Sequence, residues 1–197
     1  MITLPSLDFI FKKSSAALKR FPMVIASGII AAIAAIYLSE IDPESAEHAP
    51  WIALFMVTIL GISLFLAIRL TSERRGWNSA KNITADIAGT GLLTIYFFLL
   101  PDDFDAAPHA VFFRYILYML TAHLLVSVGP YLPDGSVSGF WQYNKTLFLR
   151  FLTSILFSGV LFIGLIIALG SIDVLLGVDI SIGYRRVFFL GFEYRRC

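Results

Sequence analysis

The sequence predicts an all-α fold: a polytopic membrane protein built as a five-helix transmembrane bundle with its N-terminus in the cytoplasm. Three observations support this prediction: the composition, five long apolar runs, and the concentration of Lys and Arg in alternate connections. Of 197 residues, 58% are hydrophobic and 15% are charged, and the mean hydropathy is +0.81. Soluble domains carry about 25% charged residues, so the composition excludes a domain folded in water.

Each predicted span is an apolar run long enough to cross a bilayer. A helix of about 20 apolar residues crosses roughly 30 Å of hydrocarbon, and it satisfies its own backbone polar groups where water is absent. Pro22 and Pro50 stand at predicted helix starts, where a missing N–H is tolerated. The predicted spans are residues 21–38, 51–68, 83–100, 110–128 and 147–172.

Residues 1–20 form a basic segment before the first span. Leu7, Phe11 and Leu18 fall on one helical face, whereas Lys12 and Lys19 point elsewhere. This pattern is typical of a short amphipathic helix in the headgroup layer, and a frayed basic tail is the alternative. A basic segment before an apolar run also begins a cleavable signal peptide, but the first run continues to spanning length, which favours a retained helix.

The charges of the connections predict the orientation. Lys and Arg in short loops remain on the cytoplasmic side when a protein inserts. The connections at residues 39–50 and 101–109 contain acidic residues and no Lys or Arg, so we expect them outside. The cations near the other boundaries are Lys12, Lys13, Lys19, Arg20, Arg69, Arg74, Arg75, Lys81, Lys145 and Arg150.

The tail, residues 177–197, disagrees with this charge pattern. Five spans place it outside, yet it contains Arg185, Arg186, Arg195 and Arg196. Either the chain is truncated before a further helix, or its last residues lie along the membrane interface.

Three ionisable residues lie inside predicted spans at a similar depth. At the helical rise, Asp86 lies about 5 Å inside span three, His123 about 7 Å from the same boundary, and Arg150 a similar distance inside span five. Ionisable groups are costly in a membrane, so these residues are candidates for function. We expect either a polar cluster with a protonatable group, or separate snorkelling side chains with His123 bonded to a neighbouring backbone or hydroxyl group.

A second candidate pairing lies at the opposite boundary. Arg114 is about 6 Å inside span four and close to the acidic run formed by Asp102, Asp103 and Asp105. Ion pairing there would join spans three and four. The alternative is an Arg114 side chain that snorkels to the headgroups.

The sequence contains no pattern that indicates catalysis, a cofactor or a metal. A phosphate-binding loop, a His-Glu-x-x-His helix and paired cysteines are absent. The acidic run lacks the glycine and the distal glutamate of a calcium loop. Basic residues flank the spans instead of forming a nucleic-acid-binding stripe. We therefore predict no enzymatic activity, no cofactor and no nucleic-acid partner.

Three stretches resemble a known membrane family. They are the FWQYNK run at residues 140–145 that leads into residues 147–150, the IDVLLGV run at residues 172–178, and the Phe21-Pro22 start of span one. They resemble the bacterial membrane family known as domain of unknown function 4153, from about residue 10 to residue 180. The resemblance implies a bacterial inner-membrane location and, because members are longer, further helices after the fifth span. It implies no catalytic residues.

The expected role is a non-catalytic membrane module that anchors, senses or interacts. Its expected partners are the lipid bilayer and other membrane helices, or a second copy of the chain. The alternative is a transporter or ion-coupled subunit that uses Asp86, His123 and Arg150. That alternative requires a hydrated cavity at their layer and a broken helix nearby, for which Gly89 and Gly91 are the candidates.

Overall fold

The computed structural model describes residues 18–41, 45, 48–104, 108–132 and 136–176, without the side chains of residues 169 and 172–176. All regular structure in these residues is helical, which confirms the predicted all-α class for them. The predictions for residues 1–17, for Asp105 and for the tail lie outside the described residues. The helices are α1 (Pro22–Glu40), α2 (His48–Arg75), α3 (Ser79–Phe98), α4 (His109–Val128) with a 3-10 turn at Gly129–Tyr131, and α5 (Val137–Leu176).

Each predicted apolar run lies mainly on one of these helices. The largest difference in boundaries is at α5, which begins at Val137 instead of near residue 147. Two polar side chains in this added part bond within the helix: Asn144 donates to the Phe140 carbonyl at 3.0 Å, and Thr146 donates to the Gln142 carbonyl at 2.8 Å. Side chains bonded in this way are compatible with a continuous helix through the aromatic-rich segment.

Four helical segments in the described residues are long and apolar enough to cross a membrane. They are Pro22–Glu40, His48–Arg75, His109–Tyr131 and Val137–Ala168. Helix α3 is not among them, because Lys81, Asp86 and several Thr and Gly residues lower its average hydropathy.

The chain divides into two compact units. The first comprises residues 1–34 and 42–135, and the second comprises residues 35–41 and 136–197. In the first unit, α2 packs against both α3 and α4. Most of its buried core therefore comes from α2, with contributions from α3, the segment after it, and α4. The core residues are Ala53, Met56, Val57, Leu60, Phe65, Leu93, Leu100 and Ala122.

Gly61 lies where α2 approaches both α1 and α3. A Cβ atom at this position would lie 3.0 Å from the Leu93 side chain and 3.2 Å from the Ser27 hydroxyl. Small residues at such points let helix backbones approach closely, which is how helices pack in a lipid environment. The absence of a side chain at Gly61 thus permits two helix contacts at once.

Gly89 has a similar packing role on α3. A Cβ atom there would lie 3.1 Å from both the Ile68 and the Phe65 side chains of α2. Helix α3 is continuous through Gly89 and Gly91, so the helix break that an ion-coupled site requires does not occur at either glycine.

Candidate functional site: the basic end of the first unit

A polar region forms where α2 ends. The residues just before α1, the last turns of α2, the first turn of α3 and the 3-10 turn after α4 meet there. We call this region the basic end, because its described residues include six cations and one carboxylate. Its charged residues are Lys19, Arg20, Arg69, Glu73, Arg74, Arg75 and Lys81.

Arg20 and Glu73 join the start of α1 to the end of α2. Arg20 Nε lies 2.9 Å from Glu73 Oε1, and Arg20 Nη2 lies 2.7 Å from Glu73 Oε2. Two parallel bonds of this kind fix orientation as well as distance. The hydrogen bond to Glu73, together with the carboxylate charge, raises the pKa of Arg20, so this guanidinium stays charged. Arg69 lies 3.7 Å from the same carboxylate.

Arg74 and Arg75 hold the turn after α4 against the end of α2. Arg75 Nη2 donates to the Gly129 carbonyl at 3.3 Å, and the Arg74 guanidinium lies 4.1 Å from the centre of the Tyr131 ring. A cation over an aromatic face is attracted by the ring quadrupole. The approach is close enough that a Cβ atom at Gly129 would lie 2.8 Å from the Thr71 hydroxyl oxygen.

The start of α3 is joined to the same region by hydrogen bonds. The Ser72 hydroxyl donates to the Asn82 side-chain carbonyl, and the Trp77 backbone N–H donates to the Ser72 carbonyl at 3.1 Å. Asn78 caps α3, because its side chain accepts from the Lys81 N–H at 3.0 Å. Gly76 makes the tight connection possible, with a φ of 59° that favours glycine.

These contacts define how the helices of the first unit run. Helix α1 starts at the basic end, α2 ends there, α3 starts there and α4 ends there. The polar contacts therefore join helix ends to one another. They also hold several cations at one level of the unit.

The three predicted intramembrane residues have different surroundings. Asp86 is half-buried, and the charge that acts on it is that of Arg69. His123 is exposed on α4, and its Nδ1 donates to the Met119 carbonyl at 2.8 Å. Arg150 belongs to the second unit. The Asp86, His123 and Arg150 cluster stays a prediction.

The predicted outer pairing lies at the other end of α3 and α4. Arg114 is exposed on α4, and Asp105 lies outside the described residues. The pairing of Arg114 with Asp102, Asp103 and Asp105 stays a prediction.

The ion pair between Arg20 and Glu73 was not predicted from the sequence. One signal was present in the sequence, because Glu73 is the only acidic residue between positions 69 and 82, among four cations. A single carboxylate among several cations indicates an ion pair. That its partner is the distant Arg20 is known only from the packing of α1 on α2.

A cavity of about 380 Å³ opens between α2, α3 and α4. Within the described part of the chain, no charged side chain lines it. Its walls include Tyr96 and Tyr118, whose rings meet edge to face with centres 5.3 Å apart. The other lining residues are Leu60, Leu64, Leu92, Ile95, Leu99, Thr121, Ala122 and Leu125.

Comparison with known proteins found no relative of the chain. No protein-family model, no curated protein and no solved structure matches the chain.

Proposed function

We propose that the chain is a five-span protein of the bacterial inner membrane, with its N-terminus in the cytoplasm, that acts as a non-catalytic scaffold for other membrane helices. The proposal includes membership of the family known as domain of unknown function 4153, which the motifs around residues 140–150 and 172–178 support. Its partners are the lipid bilayer and either other membrane proteins or a second copy of the chain.

The contact between the ends of α2 and α4 supports the five-span count, because it makes α3 a crossing helix. Arg75 at the end of α2 donates to the Gly129 carbonyl just after α4, so both helices end on the same side of the first unit. The chain must return to the opposite side between them, and α3 is the helix that makes this connection. Its 20 residues extend about 30 Å, which is the thickness of the hydrocarbon core.

The polar residues of α3 are compatible with a membrane. Thr84, Thr90 and Thr94 each donate to the carbonyl four residues earlier, at 2.9, 2.8 and 2.9 Å. Hydroxyl groups bonded in this way need no water. Ile87 and Phe98 are 67% and 78% exposed, and lipid would cover them.

The charge distribution supports a cytoplasmic basic end. It carries six cations, whereas the described part of the connection that follows α3 contains Asp102 and Asp103. Insertion retains cations on the cytoplasmic side. This asymmetry supports a cytoplasmic location for the start of α1 and for the connection between α2 and α3.

Packing supports a scaffold more strongly than an ion path. Among the described residues, no charged side chain is buried in the first unit and none lines the cavity between α2, α3 and α4. Helix α3 is unbroken at Gly89 and Gly91. The charged groups of the basic end bind helix ends to one another. These features favour stable association of helices over movement of an ion.

Flux measurements test this role. We expect proteoliposomes containing the purified chain to conduct protons no faster than empty vesicles, as read from a trapped pH-sensitive dye. Asp86→Asn should leave this rate unchanged, and Asp103→Asn serves as a control at the opposite end of α3. A proton flux that is present in the unchanged protein and lost in Asp86→Asn would support the ion-coupled alternative instead.

A further inference from the structure

The described residues of the basic end carry an excess of positive charge. Glu73 is the one carboxylate among them, and it is shared by Arg20 and Arg69. Arg74, Arg75 and Lys81 are exposed. An anionic partner is therefore attracted to this surface.

Two of the exposed cations are held in place by the fold. Arg75 is bonded to the Gly129 carbonyl, and Arg74 lies over the Tyr131 ring. Side chains that are already ordered lose less conformational entropy when they bind a ligand. Guanidinium groups match the geometry of phosphate oxygens, with several N–H donors in a fixed plane.

The aromatic residues at the same level indicate the kind of anion. Trp77 lies between α2 and α3 and is half-buried, and Tyr131 lies beside Arg74. Amphipathic rings of this kind are enriched where a membrane protein crosses the headgroup layer. An acidic protein would meet the same charges, but the rings favour a lipid surface.

We propose that the basic end binds the phosphate groups of anionic phospholipids, through Arg74 and Arg75 with Lys19 and Lys81 beside them. This inference rests on the proposed membrane topology, which places the basic end at the headgroup level. Each basic residue near an anionic membrane surface strengthens binding about fivefold, which corresponds to about 1 kcal/mol. The bound lipid would in turn hold the ends of α2 and α4 together, because Arg74 and Arg75 already contact the turn after α4.

Tryptophan quenching tests the inference with a reporter at the site. The chain has three Trp residues, so Trp51→Phe and Trp141→Phe leave Trp77 as the single fluorophore. The full chain is reconstituted in vesicles that contain either brominated phosphatidylglycerol or brominated phosphatidylcholine. We expect the anionic lipid to quench Trp77 more strongly, and R74Q/R75Q to reduce this preference by roughly 25-fold, at about fivefold for each charge.

Matched variants separate charge at this site from other causes. R114Q removes one cation from α4 away from the basic end and should leave the preference unchanged. K19Q/K81Q removes two exposed cations whose side chains make no hydrogen bond or ion pair with the described residues, so it should weaken the preference without affecting folding. R74K/R75K should retain most of the preference, and raising the salt to 1 M should reduce it, because the Debye length falls to about 3 Å.

Several outcomes would overturn the inference. These are equal quenching by the two lipids, an equal loss in R114Q and R74Q/R75Q, or competition by millimolar inorganic phosphate, which would indicate a site for free phosphate. Competition by polyglutamate without any lipid preference would assign the surface to an acidic protein. A chain that alkaline carbonate washes off the vesicles contradicts the membrane topology, and with it this inference.

Discussion

Phe65→Ala is expected to lower the free energy of unfolding by about 3 to 5 kcal/mol, the usual cost of removing a buried ring from a packed core. Phe65 is 3% exposed and belongs to the buried core of the first unit. Its ring lies against α3, close to Gly89. The substitution removes van der Waals contacts that the ring makes between α2 and α3. Unfolding in detergent micelles by increasing fractions of dodecyl sulfate measures the change.

A control and a rescue identify the cause of this loss. Phe113 is 67% exposed on α4, so Phe113→Ala should change stability by no more than about 0.5 kcal/mol. Gly89→Leu alone should destabilise, because its Cβ atom would lie 3.1 Å from the Phe65 ring. Combined with Phe65→Ala, the new side chain enters the vacated space and should restore part of the stability. No coupling between these two positions would contradict the described contact between α2 and α3.

Gly61→Leu is expected to cost about 3 kcal/mol, the upper part of the range for overpacked cores. The first added carbon already meets Leu93 of α3 and Ser27 of α1, so the larger side chain must separate α2 from both helices. The same unfolding assay in detergent reports the loss.

Gly91→Leu is the matched control for this substitution. A Cβ atom at Gly91 has no neighbour within 4 Å, and leucine is a better helix former than glycine. We expect stability that is unchanged or slightly higher. Equal losses for Gly61→Leu and Gly91→Leu would mean that Gly61 does not lie at a helix contact.

The positions of the helices follow from the sequence because apolar length is a local property. Five runs predicted five helices, and each run lies mainly on its own helix. Average hydropathy is less informative for α3, since it counts Thr84, Thr90 and Thr94 as polar although each is bonded within the helix. The start of α5 was missed because the polar residues 142–146 resemble a connection until their hydrogen bonds are known.

The candidate site was less predictable, because it depends on contacts between distant residues. The depth of Asp86 and His123 along their helices predicted that both lie inside the membrane. Depth alone does not give the direction in which a side chain points. His123 bonds to its own helix, and Arg69 is the charge that acts on Asp86. Loop charges did predict which helix ends are basic. They did not predict that Arg75 would contact Gly129, since that requires α2 and α4 to end together.

The crossing of the membrane by α3 is the central claim, and cysteine labelling tests it most directly. Cys197 is the only native cysteine and is first replaced by serine. Single cysteines are then introduced at Ser79, where α3 starts, and at Asp102, after α3 ends. In intact cells, a membrane-impermeant thiol reagent should label Asp102→Cys and should reach Ser79→Cys only after the membrane is permeabilised. Labelling of both positions from the same side would contradict the account.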